Sequence, residues 1–137
     1  MTGDDVAVVQ RSFAAVLPCA DAVSRRFYER LFEAEPSVRS LFKADLTEQR
    51  RSLMLTLATV VQNLHQFDAV LPSVRGLAVR HVGYGVADRH YAVVGQALLG
   101  ALADTVDDFG SSERQAWASA YGALSRVMID AAHSAAM

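Results

Sequence analysis

Residues 80–95 read RHVGYGVADRHYAVVG. His81 falls on the apolar side of a helical stretch in which Leu71, Val74, Leu77, Ala78 and His81 share one face. A histidine on such a face is more often a hydrogen-bonded core residue than a ligand. Gly83 and Gly85 are candidates to end that helix in a left-handed turn. Asp88 is placed to cap the next helix, whose stripe is Tyr91, Val94, Leu98, Leu102 and Val106. Two helices meeting at a glycine corner, with a histidine just before it, is the pattern around which the rest of the chain has to be arranged.

Helical periodicity runs outward from this corner in both directions. Val6, Val9, Phe13, Val16 and Leu17 form a first stripe that Pro18 should break. Val23, Phe27, Leu31 and Phe32 form a second, which stops before Pro36. Pro36 suits the first turn of a short helix ending near Phe42. Asp45 or Thr47 in the polar loop KADLT could cap the helix after it. Leu53 is followed at offsets of four, seven, eight and eleven by Leu57, Val60, Val61 and Leu64, the spacing of an amphipathic helix. HQFDAV reads as a loop. DDFGSS is the last turn, and Trp117, Tyr121, Leu124 and Met128 line a final helix. No stretch reads as a strand, repeat or linker, so the expectation is an all-α fold in one domain, residues 1–137.

Composition narrows the setting. With 52% hydrophobic residues among 137, the chain can bury a substantial core. A net charge of −2 gives no reason to expect nucleic acid or an anionic membrane as partner. The single cysteine, Cys19, allows no internal disulfide and suits a reducing compartment. The acidic N-terminus MTGDDVAVVQ lacks a basic secretion signal, and the apolar runs fall short of the ~20 residues a bilayer span needs. A cytoplasmic protein is expected. The histidines have no HExxH or Cys/His zinc spacing, GYG lacks the third glycine and preceding strand of a dinucleotide loop, and Cys19 has no histidine nearby in sequence. Arg25-Arg26 and Arg50-Arg51 read as solvated helix faces.

Four segments in order, FYERLFEAEPSVRSLF, EQRRSLM, RHVGYGV with HYAVVGQALL, and AWASAYGALSRVMI, span essentially the whole chain. In this arrangement the sequence resembles the globin family, most closely bacterial single-domain haemoglobins and the globin domain of flavohaemoglobins. The resemblance implies a globin fold of about six to eight helices around haem b, iron protoporphyrin IX. It makes His81 the proximal iron ligand, a role a neutral imidazole can fill through one ring nitrogen while the other fixes the ring. A single protein ligand leaves the sixth iron position open for a gas.

The resemblance carries further roles residue by residue. Phe42 matches the phenylalanine packed against haem, Gln49 the distal position, and Leu53 the apolar residue over the iron. Tyr28 matches the distal tyrosine of the bacterial globins. From the residues alone, Gln49 would be an exposed first-turn residue, and Tyr28 a buried ring with its hydroxyl at the surface. Leu57, Tyr84, Val86, Tyr91, Val94 and Leu98 join the cofactor-lining set, with Arg80 as a partner for a propionate.

Tyrosine hydroxyls and glutamine amides both donate hydrogen bonds, which should favour tight dioxygen binding and slow release, for scavenging, storage or transport. Other small gases such as nitric oxide are further candidates. Flavohaemoglobins convert nitric oxide to nitrate with a proximal tyrosine and glutamate; Tyr91 matches the first, but Ala132 occupies the glutamate position and Asp130 points elsewhere on the helix. The chain also ends at Met137 with no flavin domain in view. Nitric oxide dioxygenation is therefore the alternative expectation and would need a separate reductase. A gas sensor or a haem-free interaction module is a third.

Overall fold

The computed structural model describes residues 1–136. Six α-helices account for most of them: α1 (Gly3–Val16), α2 (Ala20–Ala34), α3 (Thr47–Gln62), α4 (Leu71–Gly83), α5 (Asp88–Thr105) and α6 (Ser111–Ala136). Shorter 3-10 segments lie at Leu17–Cys19, Pro36–Leu41 and Leu64–Val70. No strand occurs among the described residues, so the all-α expectation holds.

Local chemistry explains most boundaries. Thr2 Oγ1 accepts from the Asp5 amide at 3.1 Å while Asp5 accepts from the Thr2 amide at 2.9 Å, a reciprocal cap on α1. Pro18 does not stop the chain but tightens it into a single 3-10 corner, so α1 runs almost directly into α2. That corner turns Leu17 outward to 55% exposure, away from the stripe expected to bury it. The rod Gly3–Ala34 contains a window long and apolar enough, by length and composition, to cross a bilayer. No single apolar run reaches that length; the small residues between the valines raise the average. Here Val9, Phe13, Val16, Val23 and Phe27 from that rod are core residues. Each buried side chain of this size stabilises the fold by about 1.5–3 kcal/mol.

α2 crosses α5, while α1 and α4 both pack on α6. Trp117 of α6 is buried and donates from Nε1 to Ser12 Oγ of α1 at 2.8 Å, tying the two ends of the chain together. α3 rests on α1 and α2, α4 on α6, and the two scarcely touch one another. They are joined through the 3-10 segment Leu64–Val70, where a loop was expected; Leu64 belongs to it rather than to α3. The result is a groove between α3 and α4. Its consequence shows on α3, where only Val61 is buried and Leu53, Met54, Leu57 and Val60 stay half-buried.

Candidate functional site

His81 stands on the α4 wall of this groove, half-buried, on the face that carries the buried Val74 and Ala78. Its Nδ1 lies 2.8 Å from the Leu77 carbonyl oxygen. A carbonyl only accepts, so Nδ1 carries the proton and, in the neutral ring, Nε2 keeps a bare lone pair. Burial lowers the His81 pKa below the ordinary imidazole value, against the raising effect of the Leu77 carbonyl and with a small further lowering from the Arg80 charge. The neutral, ligating form is therefore the one the fold favours.

The other wall begins at Tyr28 of α2. Its ring is 4% exposed and sits edge-on to Phe27 at 4.8 Å and to Phe42 at 5.6 Å, with Phe32 at 5.8 Å. Phe42 is aimed there by the corner after Pro36–Leu41, where the backbone turns extended. Arg39 fastens that corner by donating to the carbonyls of Lys43 and Ala44, both at 3.0 Å, and lays its guanidinium over Phe32. The Tyr28 hydroxyl has the Gln49 side chain as its protein neighbour, and no fully buried polar side-chain atom among the described residues lacks a partner. Burial raises its pKa, and hydrogen bonding from the Gln49 side chain opposes that rise. At neutral pH Tyr28 keeps its proton and stays a donor.

Half-buried apolar side chains on α3, a nitrogen lone pair on α4 and the Tyr28 hydroxyl beside Gln49 offer an apolar surface, one metal-ligating atom and one donor. Among the described residues there is no group of three His, Cys, Asp or Glu that could hold an ion by itself. The globin family model matches residues 25–128. The chain belongs to the globin family. Globins carry haem and bind small gaseous ligands. A flavohemoprotein of Bordetella parapertussis is 31% identical over 134 residues, covering 94% of this globin and 33% of the relative. This globin thus spans about a third of the length of such relatives. A bacterial globin of Campylobacter jejuni superposes with a TM-score of 0.88 at 22% identity, covering 98% of this chain and 99% of the other. An engineered carbene transferase from Rhodothermus marinus, whose parent is named as a candidate nitric oxide dioxygenase, superposes with a TM-score of 0.90 at 24% identity, covering 99% and 96%.

Within this globin, Gln49, Leu53 and Leu57 recur every fourth residue and so share a face of α3. Gln49 itself is exposed. Val86 and Tyr91 pack with Val74 and Ala78 near His81, whereas Val94 and Leu98 belong to the larger core with Tyr28. Tyr84, expected in the lining, is 64% exposed at the end of α4, its ring centre 6.4 Å from that of His81. Arg80 is exposed and extends over Gly76. Of the two glycines in the corner, Gly85 takes the left-handed conformation, with φ of 90°, and Gly83 stays helical.

Several assignments made on local pattern change. Asp88 does not cap α5; it is the first helical residue and pairs with His133 at 2.6 Å. His90 caps instead, its Nδ1 accepting from the Ala87 amide at 2.8 Å, which leaves it 7% exposed. Leu46 occupies the cap position of α3, and Asp45 steadies the turn by accepting from the Thr47 amide at 2.9 Å. Arg26 and Arg50 are not simply solvated: Arg26 donates to Asp104 at 2.7 Å and Arg50 to Asp21 at 3.1 Å. Tyr121, on the apolar stripe of α6, also donates from its hydroxyl to the Tyr91 carbonyl at 2.6 Å. Ala132 is buried and Asp130 exposed, so no carboxylate stands at that proximal position.

Proposed function

We propose that this globin holds haem b through His81 alone and binds dioxygen tightly, releasing it slowly, in a scavenging, storage or transport role. The observation that carries the reading is the His81–Leu77 contact, which leaves Nε2 as a neutral, oriented donor. Haem b, when bound there, supplies an iron with one further position for a diatomic gas. The chain's own residues set what happens to that gas. Tyr28 and Gln49 donate hydrogen bonds to it, and Tyr28 does so from a buried ring that loses little entropy in the act. Phe42, Leu53, Leu57, Val94 and Leu98, in one apolar cluster with Tyr28, keep water from the Tyr28 donor. Arg80, exposed on α4, would pair with an acidic group of the macrocycle.

Visible absorption spectra of the haemin-loaded chain, taken ferric, ferrous and ferrous in air, test this. A five-coordinate ferrous spectrum that converts in air to a stable new species supports it. A six-coordinate ferrous spectrum without added gas counts against it, since a side chain would already fill the distal position.

The second reading is nitric oxide dioxygenation with a separate reductase. Tyr91, buried beside the α4 wall, is the observation that favours it, and the Rhodothermus relative's name points the same way. Buried Ala132 weighs against it. Sustained nitric oxide consumption with an added flavin reductase and dioxygen, compared with a single stoichiometric burst, separates the two.

A further inference from the structure

We propose that His90 is a positioning residue for the iron ligand: its neutral ring latches the corner that carries His81, and protonating that ring opens the latch. This rests on the haem-binding reading above, which makes no other use of His90. The ring is buried, 7% exposed, at the start of α5.

Two successive amides pin the corner between α4 and α5. The Val86 amide donates to the His81 carbonyl at 3.1 Å, as does the Tyr84 amide. The Ala87 amide, next in the chain, donates to Nδ1 of His90 at 2.8 Å. The Val86–Ala87 link thus joins the backbone of His81 to the His90 ring. Val86 also packs with Val74, Ala78 and Tyr91, the apolar cluster on which α4 rests. Whatever frees Ala87 loosens the piece of chain that holds the end of α4 in place.

The chemistry makes that second bond conditional. A ring nitrogen accepts only while it carries no proton, and in the charged form both nitrogens are donors. A protonated His90 faces the Ala87 amide donor to donor, and the amide loses its partner. His81 is the reverse case, since its Nδ1 already carries the proton that the Leu77 carbonyl accepts. Glutamate and glutamine are the residues that ordinarily reach back to an amide from this third helical position. Glutamine would close the corner at any pH. Histidine closes it only while neutral.

The groups around the ring give a released His90 somewhere to turn. Glu35, at the end of α2, is near enough to feel a charge on His90. It already accepts from Ser37 at 2.6 Å and from Arg89 of α5 at 2.9 Å. Asp88 of α5 is occupied by His133 of α6 at 2.6 Å. Burial raises the pKa values of Tyr91 and Tyr121, so neither hydroxyl becomes charged where histidines titrate. Glu35 is therefore the carboxylate that draws the protonated ring away from Ala87, and His133 is the other group nearby that changes charge in the same range.

The test uses the haem-loaded chain between about pH 8 and pH 5, the range in which histidines change charge. His90→Gln keeps an acceptor that does not titrate, while His90→Leu removes the acceptor and fills the space. One readout is protection of the Ala87 amide against hydrogen exchange; the other is the rate at which haemin passes to an excess of apomyoglobin. Wild type should match His90→Gln at the upper end and approach His90→Leu at the lower, losing Ala87 protection that His90→Gln retains. An outer partner of a metal ligand is worth about 10- to 100-fold in affinity, and His90 stands one link further out. Haemin loss at the lower end should therefore run roughly 3- to 10-fold faster in wild type than in His90→Gln. Should His90→Leu fail to fold, the divergence of wild type from His90→Gln decides alone. Parallel profiles for those two overturn the latch, as does a pH dependence that vanishes in His133→Gln. Lost Ala87 protection with unchanged haemin transfer overturns the positioning role. Failure of the wild type to take up haemin would instead bring down the haem reading, and with it any bearing of His90 on the ligand.

Discussion

Nδ1 of His81 is held 2.8 Å from the carbonyl of Leu77, one turn earlier on α4. The helix supplies this acceptor from its own backbone, so ring orientation and tautomer are set within four residues. The bond also opposes the lowering of the His81 pKa by burial without reversing it. His81→Gly should therefore weaken haemin uptake by more than ~100-fold, since even loss of a partner behind a ligand costs 10–100-fold. Free imidazole should restore the absorption band in part, the loose ring lacking its tether to Leu77. Unchanged haemin affinity in the variant would remove His81 from the site.

Tyr28→Phe keeps the ring among Phe27, Phe32 and Phe42 and deletes only the donor. A hydrogen bond to a charged or strongly polarised partner contributes about 1.5–3 kcal/mol, so dioxygen dissociation should accelerate about 10- to 100-fold with little change in association. Gln49→Leu should act in the same direction but more weakly, because Gln49 is exposed and water competes for its amide. Stopped-flow displacement by carbon monoxide measures both. Equal dissociation rates in wild type and Tyr28→Phe would refute the donor role.

What the sequence carried and what it did not divide along the range of the interactions. The faces of α4 and α5 around His81 follow from periodicity, because burial at every third or fourth residue is a local signal. Leu17 misleads because the 3-10 corner at Pro18 changes the angle per residue, and the stripe swings outward there. As a cap Asp88 would accept from an amide two or three residues on, but the helix starts at Asp88 itself, α6 brings His133 to its carboxylate, and His90 reaches back to the Ala87 amide instead. Nothing near Arg26 or Arg50 in sequence announces Asp104 or Asp21. Tyr28 and Gln49 could be paired only through the family resemblance, since each alone has an ordinary explanation.

Two glycines of α5 make a contrast that packing alone decides. A Cβ at Gly95 would stand 2.7 Å from Tyr121 Cε2, and that ring is pinned by its hydroxyl to the Tyr91 carbonyl. A Cβ at Gly100 would stand 2.6 Å from the guanidinium of Arg30, the end of a flexible, part-exposed side chain tied to Asp104. Gly95→Ala should destabilise by about 1–3 kcal/mol, the usual cost of overpacking. Gly100→Ala should cost less, since Arg30 can shift at the expense of one part-exposed ion pair and alanine favours the helix. Urea unfolding of both variants checks the order. If Gly100→Ala proved the more damaging, the crossing of α2 on α5 would be set by Arg30 and not by the apolar core.

Asp104 ties that crossing through one oxygen, Oδ2, which accepts from Nε of Arg30 and of Arg26, each at 2.7 Å. These bonds, Arg30 first, pull its pKa from the ordinary 3.8 down to about 2. The folded chain thus keeps the carboxylate ionised to lower pH than the unfolded chain does. The clamp's contribution is complete above 3.8, declines as the unfolded chain protonates first, and is gone once pH falls through about 2. Asp104→Asn should lower the urea midpoint modestly at neutral pH, because solvent and salt screen a pair this exposed. The two midpoints should then converge as the pH approaches about 2. A constant gap between wild type and Asp104→Asn across that range would mean that the clamp acts by packing its arginine stems rather than by charge.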